Sequence, residues 1–186
     1  MFDTTKEGLK KTLAAERNIY LNSSFKYRIM DWIKCTEKLV IWRYVKTLRY
    51  CGYYKARQNK SVFHWLMSVY YRRKLNKQGC KLGLIFGSQA FDAGLTIYHV
   101  GNIVVDGNIG KNCHLHGDNC IGRSKGNDTP TLGDNVRLGV GAKIIGDIYI
   151  ADNVTVAAGA VVTKSCYEKG VVLAGIPAKI IKKCEP

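Results

Sequence analysis

The sequence predicts a mainly β chain, a left-handed parallel β-helix over residues 81–186 behind an α-helical basic region over residues 1–80. Three observations predict it. Large apolar residues recur every six positions through the second half. Small residues and asparagines recur at the corners between them. The first half carries helix caps, helical apolar spacing and most of the positive charge.

In the first half, Thr4 and Glu7 have the spacing of a capping box, which predicts a helix from Lys6 to about Tyr20. Ser23 or Ser24 can cap a second, long helix, in which Phe25, Ile29, Trp32, Ile33, Val40 and Tyr44 recur at helical spacing and Gly52 is a candidate end. Ser61 can cap a third, with Phe63, Leu66, Met67, Tyr70 and Tyr71 as its apolar side. Arg72, Arg73, Lys74 and Lys77 fill its last turns, where the helix dipole favours cations, and Gly79 is a candidate stop.

In the second half the six-residue period runs through Ile85, Phe91, Ile97, Ile103, Ile109, Leu115 and Ile121. After a gap of 11 it resumes through Leu132, Leu138, Ile144, Ile150, Val156 and Val162. Corners read Gly-Lys-Asn (110–112), Gly-Asp-Asn (133–135) and Ala-Asp-Asn (151–153), residues that tolerate a left-handed backbone. Three hexads make one triangular coil of 18 residues, each periodic residue facing the prism axis and stacking on the one a coil later. About five coils fit. The gap holds five extra residues, so the polar stretch 123–131 is expected to leave the prism as a loop, and a C-terminal tail follows the last coil.

The charge is uneven. Residues 1–80 hold 18 Lys and Arg against 5 Asp and Glu, whereas residues 81–186 hold 11 against 9. The aromatic, basic first half suits an anionic membrane surface, and equally a solvated basic face or the core of a helical cap. No nucleic-acid-binding motif accompanies the charge, so nucleic acid is not expected as a partner. Seven cysteines without a Cys-x-x-Cys pair indicate reduced thiols and no zinc site. No apolar stretch is long enough to span a bilayer and the N-terminus lacks a signal-peptide core. The expectation is therefore a cytoplasmic protein, with peripheral contact at the inner face of the membrane as an option.

The segment Gly94-Leu-Thr-Ile-Tyr-His99-Val-Gly-Asn-Ile-Val-Val105 is similar to that around the catalytic histidine of serine O-acetyltransferases. It resembles more closely still the capsular and colanic-acid polysaccharide acetyltransferases of the same hexapeptide-repeat acyltransferase superfamily. Residues 133–146 and 172–179 match the later coils and closing turn of that group. The resemblance implies an acetyl-CoA-dependent O-acetyltransferase, active as a homotrimer with CoA lying in the groove between prisms, and His99 as general base. An alcohol is a poor nucleophile until a base takes its proton.

Acceptor contacts are expected from Tyr98, His116 and Asp118. His116 stands 18 residues after Tyr98 and stacks on it, and Asp118 is also readable as a corner residue. The resemblance places CoA against Gly122, Gly141, Ala142, Lys143, Gly159, Ala160, Lys164 and Lys179. No metal is expected, because His99, His114 and His116 lack the spacing of the zinc histidines in carbonic anhydrases of the same repeat type. The chain departs from serine acetyltransferases where their acceptor-binding Asp, His and Arg residues fall: Leu84, Phe86, Tyr98, Asp128 and Thr129 stand there instead. A site without charged partners is poorly suited to a zwitterion. The departure favours a sugar hydroxyl of a surface polysaccharide, lipid-linked or free, as acceptor. Serine acetylation for cysteine synthesis and a non-catalytic β-helix scaffold are the alternatives.

Overall fold

In the computed structural model, which describes residues 3–87, 91–125 and 129–183, four helices precede a three-sided parallel β-helix. The helices α1 (Lys6–Tyr20), α2 (Phe25–Ile33), α3 (Glu37–Lys55) and α4 (Val62–Leu82) outweigh strands that are mostly two or three residues long. The expectation of a mainly β chain is therefore corrected to a mixed one: each side of a triangular coil is so short that only its middle residues form a ladder.

Helix α1 has its predicted span, but Thr5, not Thr4, caps it: its hydroxyl accepts from the Gly8 amide at 3.0 Å. The predicted second helix is two. The chain breaks at Lys34–Thr36, where Cys35 takes a left-handed φ of 50°, and Thr36 opens α3. Gly52 lies buried inside α3 rather than ending it. Ser61 caps α4 as predicted, accepting from the His64 amide, but the helix runs past Gly79 to Gly83, whose φ of 67° makes the left-handed stop. Gly79 is needed for close approach instead. A Cβ there would sit 2.2 Å from the Leu84 carbonyl oxygen.

The strands form three sheets, one per face of the prism. The first sheet joins β1 (Leu84–Phe86), β3 (Ile103–Val105), β6 (Cys120–Gly122), β9 (Lys143–Ile145) and β12 (Val161–Val162). The second joins β4 (Asn108–Ile109), β7 (Thr131–Leu132) and β10 (Tyr149–Ile150). The third joins β2 (Thr96–Ile97), β5 (His114–Leu115), β8 (Arg137–Leu138), β11 (Thr155–Val156), β13 (Val171–Gly175) and β14 (Ala178–Lys183).

Every periodic residue from Phe91 to Val162 is buried, stacked on the prism axis. Ile85 is the correction. It is 63% exposed while Leu84 and Phe86 point inward, because β1 pairs with β3 at an offset of 19 residues rather than 18, and a one-residue slip exchanges the faces of a strand. An offset of 18 holds in Thr96↔His114, Thr131↔Tyr149, Arg137↔Thr155 and Lys143↔Val161, whereas β3 meets β6 at 16 and β11 meets β13 at 17. Across residues 123–130 all three sheets jump by 23, as in Cys120↔Lys143, Asn108↔Thr131 and His114↔Arg137. The change of register thus falls between β6 and β7, where residues 126–128 of the expected loop lie outside the described residues.

The corner asparagines Asn112, Asn135 and Asn153 all have left-handed φ, from 53° to 60°. They form a ladder in which each side-chain amide donates to the carbonyl of the next, at 3.0 and 2.9 Å.

Helices and prism share one apolar core, in which Tyr20, Ile41, Tyr44 and Leu48 pack with Leu84, Phe86, Phe91 and Ile97. The N-terminal end of the prism is closed by helix side chains. The Tyr20 hydroxyl donates to the Leu95 carbonyl and accepts from the Ile97 amide, and the Tyr44 hydroxyl donates to the Leu84 carbonyl. Arg49 and Glu16, both fully buried, form an ion pair in the same place. Arg49 also donates to the carbonyls of Phe91 and Asp92, while Glu16 accepts from the amides of Gly94 and Leu95. At the other end β14 folds back antiparallel on β13.

Candidate active site

His99 follows β2 at a bend between two prism faces, and its side chain is 67% exposed, as a base that must meet an outside molecule requires. The sequence reading missed its partner. Glu37, the first residue of α3, accepts from His99 Nδ1 at 3.2 Å with one carboxylate oxygen and from the Val100 amide at 2.8 Å with the other. The backbone contact pins the carboxylate; the carboxylate then orients the ring and holds the proton on Nδ1. Nε2 is left as a lone-pair acceptor. The signal in sequence was only a Thr-Glu pair at a helix start, which reads as ordinary capping.

Tyr98 and His116 are brought together as predicted, with ring centroids 4.2 Å apart and an interplanar angle of 11°. Tyr98 is also hydrogen-bonded to His114 at 3.2 Å. Partial burial, then Arg137 and the neighbouring histidines, push His114 and His116 down from the ordinary imidazole value and favour their uncharged forms. Asp118 sits exposed at a corner with a left-handed φ of 56°.

A cavity of about 390 Å³ opens beside this cluster, lined by Tyr20, Lys38, Thr96, Tyr98, Asn112 and His114 among others. Lys38, next to Glu37, thus brings a cation to the cavity from a helix. Of the positions at which the chain departs from the acceptor-binding residues of serine acetyltransferases, Asp128 lies outside the described residues.

The predicted CoA strip is divided. Gly122, Gly141, Lys143, Gly159, Lys164 and Lys179 are at least partly open to solvent, and a Cβ on Gly122 or Gly159 would meet nothing within 4 Å. Gly141 and Gly159 stand one above the other on successive coils. Ala142 and Ala160 do not belong to the strip. They are buried inside the prism, because they occupy the small inward position that alternates with the large periodic one. Lys164 and Lys179 line a second cavity of about 350 Å³ with Ser165, Tyr167 and Glu168.

The family model described as "Bacterial transferase hexapeptide (six repeats)" matches residues 129–164. A serine acetyltransferase of Staphylococcus aureus is 36% identical over 85 residues, covering 40% of this chain and 39% of the relative. One of Staphylococcus epidermidis is 38% identical over the same coverage. The match thus spans about two fifths of the length of these curated relatives. Among solved structures, the serine acetyltransferase of Brucella abortus superposes with a TM-score of 0.70 at 24% identity, covering 94% of this chain and 69% of that one. The same organism's serine acetyltransferase in complex with coenzyme A gives 0.66 at 25% identity, covering 97% and 70%. These likenesses carry the hexapeptide-transferase reading and imply the left-handed sense of the prism. They also overturn the expected polysaccharide acceptor, since the relatives are serine acetyltransferases. The carboxylate that meets His99, that of Glu37, comes from α3, whereas the expectation weighed charges on the prism and in the loop alone.

Proposed function

We propose that the chain is an acetyl-CoA-dependent O-acetyltransferase acting on the side-chain hydroxyl of serine, with His99 as general base. The observation that carries the reading is the exposed His99 whose Nδ1 is tied to Glu37. In this scheme Nε2 takes the proton from the serine hydroxyl as its oxygen attacks the thioester carbonyl. The tetrahedral intermediate then collapses, the C–S bond breaks, and the imidazolium returns its proton to the departing CoA sulfur. Glu37 acts through His99: it fixes the tautomer and offsets the positive charge that the ring gains.

A free amino acid carries an ammonium and a carboxylate. Lys38 in the cavity beside Tyr98 and His114 offers a cation for the carboxylate, and the anionic Glu37 adjoins the same place. Tyr98 and His116 form the wall against which the acceptor rests. We assign the pantetheine arm to the open strip of Gly122, Gly141 and Gly159, and the CoA phosphates to Lys143, Lys164 and Lys179. A homotrimer belongs to the same proposal. Ile85, Val104 and Cys120 lie side by side on the outer face of the first sheet, an apolar surface suited to another prism.

Thiol release from acetyl-CoA tests the reading. Release is expected to depend on L-serine, and His99→Ala is expected to lower it by at least about 10²-fold. Release that ignores L-serine, or a His99→Ala variant close to wild type, would overturn it.

A further inference from the structure

Helix α4 is turned the wrong way round for a soluble protein. Its inward side is Ser68, Leu75 and Gly79, spaced by seven and four residues. Its outward side is Val62, Phe63, Trp65, Leu66, Val69 and Tyr70, each 49–74% exposed. A surface helix ordinarily shows the reverse pattern. Of the apolar side the sequence offered, Met67 and Tyr71 are half-buried, Tyr71 against the core, while Phe63, Leu66 and Tyr70 face solvent. Along the same stripe Arg73 follows Val69 by four residues, and Lys77 follows Tyr70 by seven. The face therefore begins apolar and aromatic and ends cationic. Helix α2 repeats the composition: none of its residues is buried, and Phe25, Trp32 and Ile33 are all more than 60% exposed beside Lys26 and Lys34.

We propose that the outward face of α4 docks the chain on an anionic phospholipid bilayer. The aromatic and aliphatic side chains enter the headgroup region, and the cations of the last turns meet lipid phosphates. Two properties must be complemented at once, and they select this occupant. An acidic polymer meets the cations but leaves six apolar side chains in water. A second copy meets the apolar residues but brings together two surfaces from a region with 18 Lys and Arg against 5 Asp and Glu, which repel. An anionic bilayer satisfies both, and Trp and Tyr favour its interface. No described helix is long and apolar enough to cross a membrane, so the contact is peripheral.

The test uses the full chain with vesicles of phosphatidylcholine alone or mixed with phosphatidylglycerol. Co-sedimentation is expected with the mixed vesicles at low ionic strength and is lost at high salt. A triple variant, Phe63→Ser with Trp65→Ser and Leu66→Ser, is expected to abolish it. The pair Arg73→Gln and Lys77→Gln, which leaves the apolar face intact, is expected to weaken partitioning roughly 30-fold, about fivefold per cation lost. Circular dichroism confirms that each variant is folded. Failure of the folded wild type to bind mixed vesicles overturns the proposal, as does binding that neither variant weakens. A wild-type mass by sedimentation equilibrium that falls only in the triple variant assigns the face to a second copy and overturns it as well.

Discussion

Replacing Arg49 tests what joins the helices to the prism. Its guanidinium is fully buried and donates twice to Glu16 and once each to the carbonyls of Phe91 and Asp92. Arg49→Met leaves the Glu16 carboxylate buried without its counter-charge, which costs about 3–5 kcal/mol. A buried ion pair replaced on both sides by apolar residues is often neutral, so Arg49→Met with Glu16→Leu would ordinarily recover the loss. Here it should not. Glu16 also accepts from the amides of Gly94 and Leu95, so the double variant strands backbone groups on both sides of the pair. Each unsatisfied buried group costs about 1–3 kcal/mol. Even if water reaches half of them, the double variant remains at least about 2 kcal/mol less stable than wild type. Urea denaturation followed by far-ultraviolet circular dichroism, at fixed protein concentration, measures this directly. A double variant as stable as wild type would refute the view that the pair serves the backbone of residues 91–95 rather than itself.

Three further outcomes follow from the site and the fold. Glu37→Ala frees the His99 ring and is expected to lower kcat for serine-dependent thiol release by roughly 10-fold or more with a smaller change in KM, while Glu37→Asp restores part of it; equal activity in all three proteins would remove Glu37 from the mechanism. Gly79→Ala places a methyl 2.2 Å from the Leu84 carbonyl oxygen, so the end of α4 must shift from β1, at a cost of about 1–3 kcal/mol in urea denaturation. Finally, His114 and His116 have depressed folded-state values, so the unfolded chain takes up their protons first as pH falls; stability is fully present above the ordinary imidazole range and declines as pH drops through and below it. Replacing both by Gln should flatten that part of a melting-temperature profile.

The prism was legible because its rule is one-dimensional: a large apolar residue every six positions has one stable use, and Phe91 to Val162 all obey it. The length of the insertion was legible for the same reason, since an interruption in a strict period can be counted. Ile85 was misread because α4 feeds into the first coil and shifts β1 by one residue, a tertiary effect without a local signal. Stacking of Tyr98 on His116 followed from coil spacing alone. Glu37, Lys38, Glu16 and Arg49 could not be found that way. They come from helices whose docking no period describes: Glu37 meets His99 and Val100 across 62 and 63 residues of chain, Arg49 meets Phe91 across 42, and Glu16 meets Gly94 and Leu95 across 78 and 79. The alanines 142 and 160 failed for a simpler reason, since a small residue looks alike in sequence whether it lines a groove or fills a core.

A stack of identical coils has no inherent length, and each end exposes a ladder that could accept another chain. Tyr20, Tyr44 and Glu16 occupy those backbone groups at the first coil. At the last, β14 reverses direction and ends the third sheet on Lys179, Lys182 and Lys183. An incoming strand would meet the cations of Lys179 and Lys182 there, with Lys183 paired to Glu168. The helices and the tail therefore act as stoppers against end-to-end polymerisation, and a chain trimmed of either should form fibres before it unfolds.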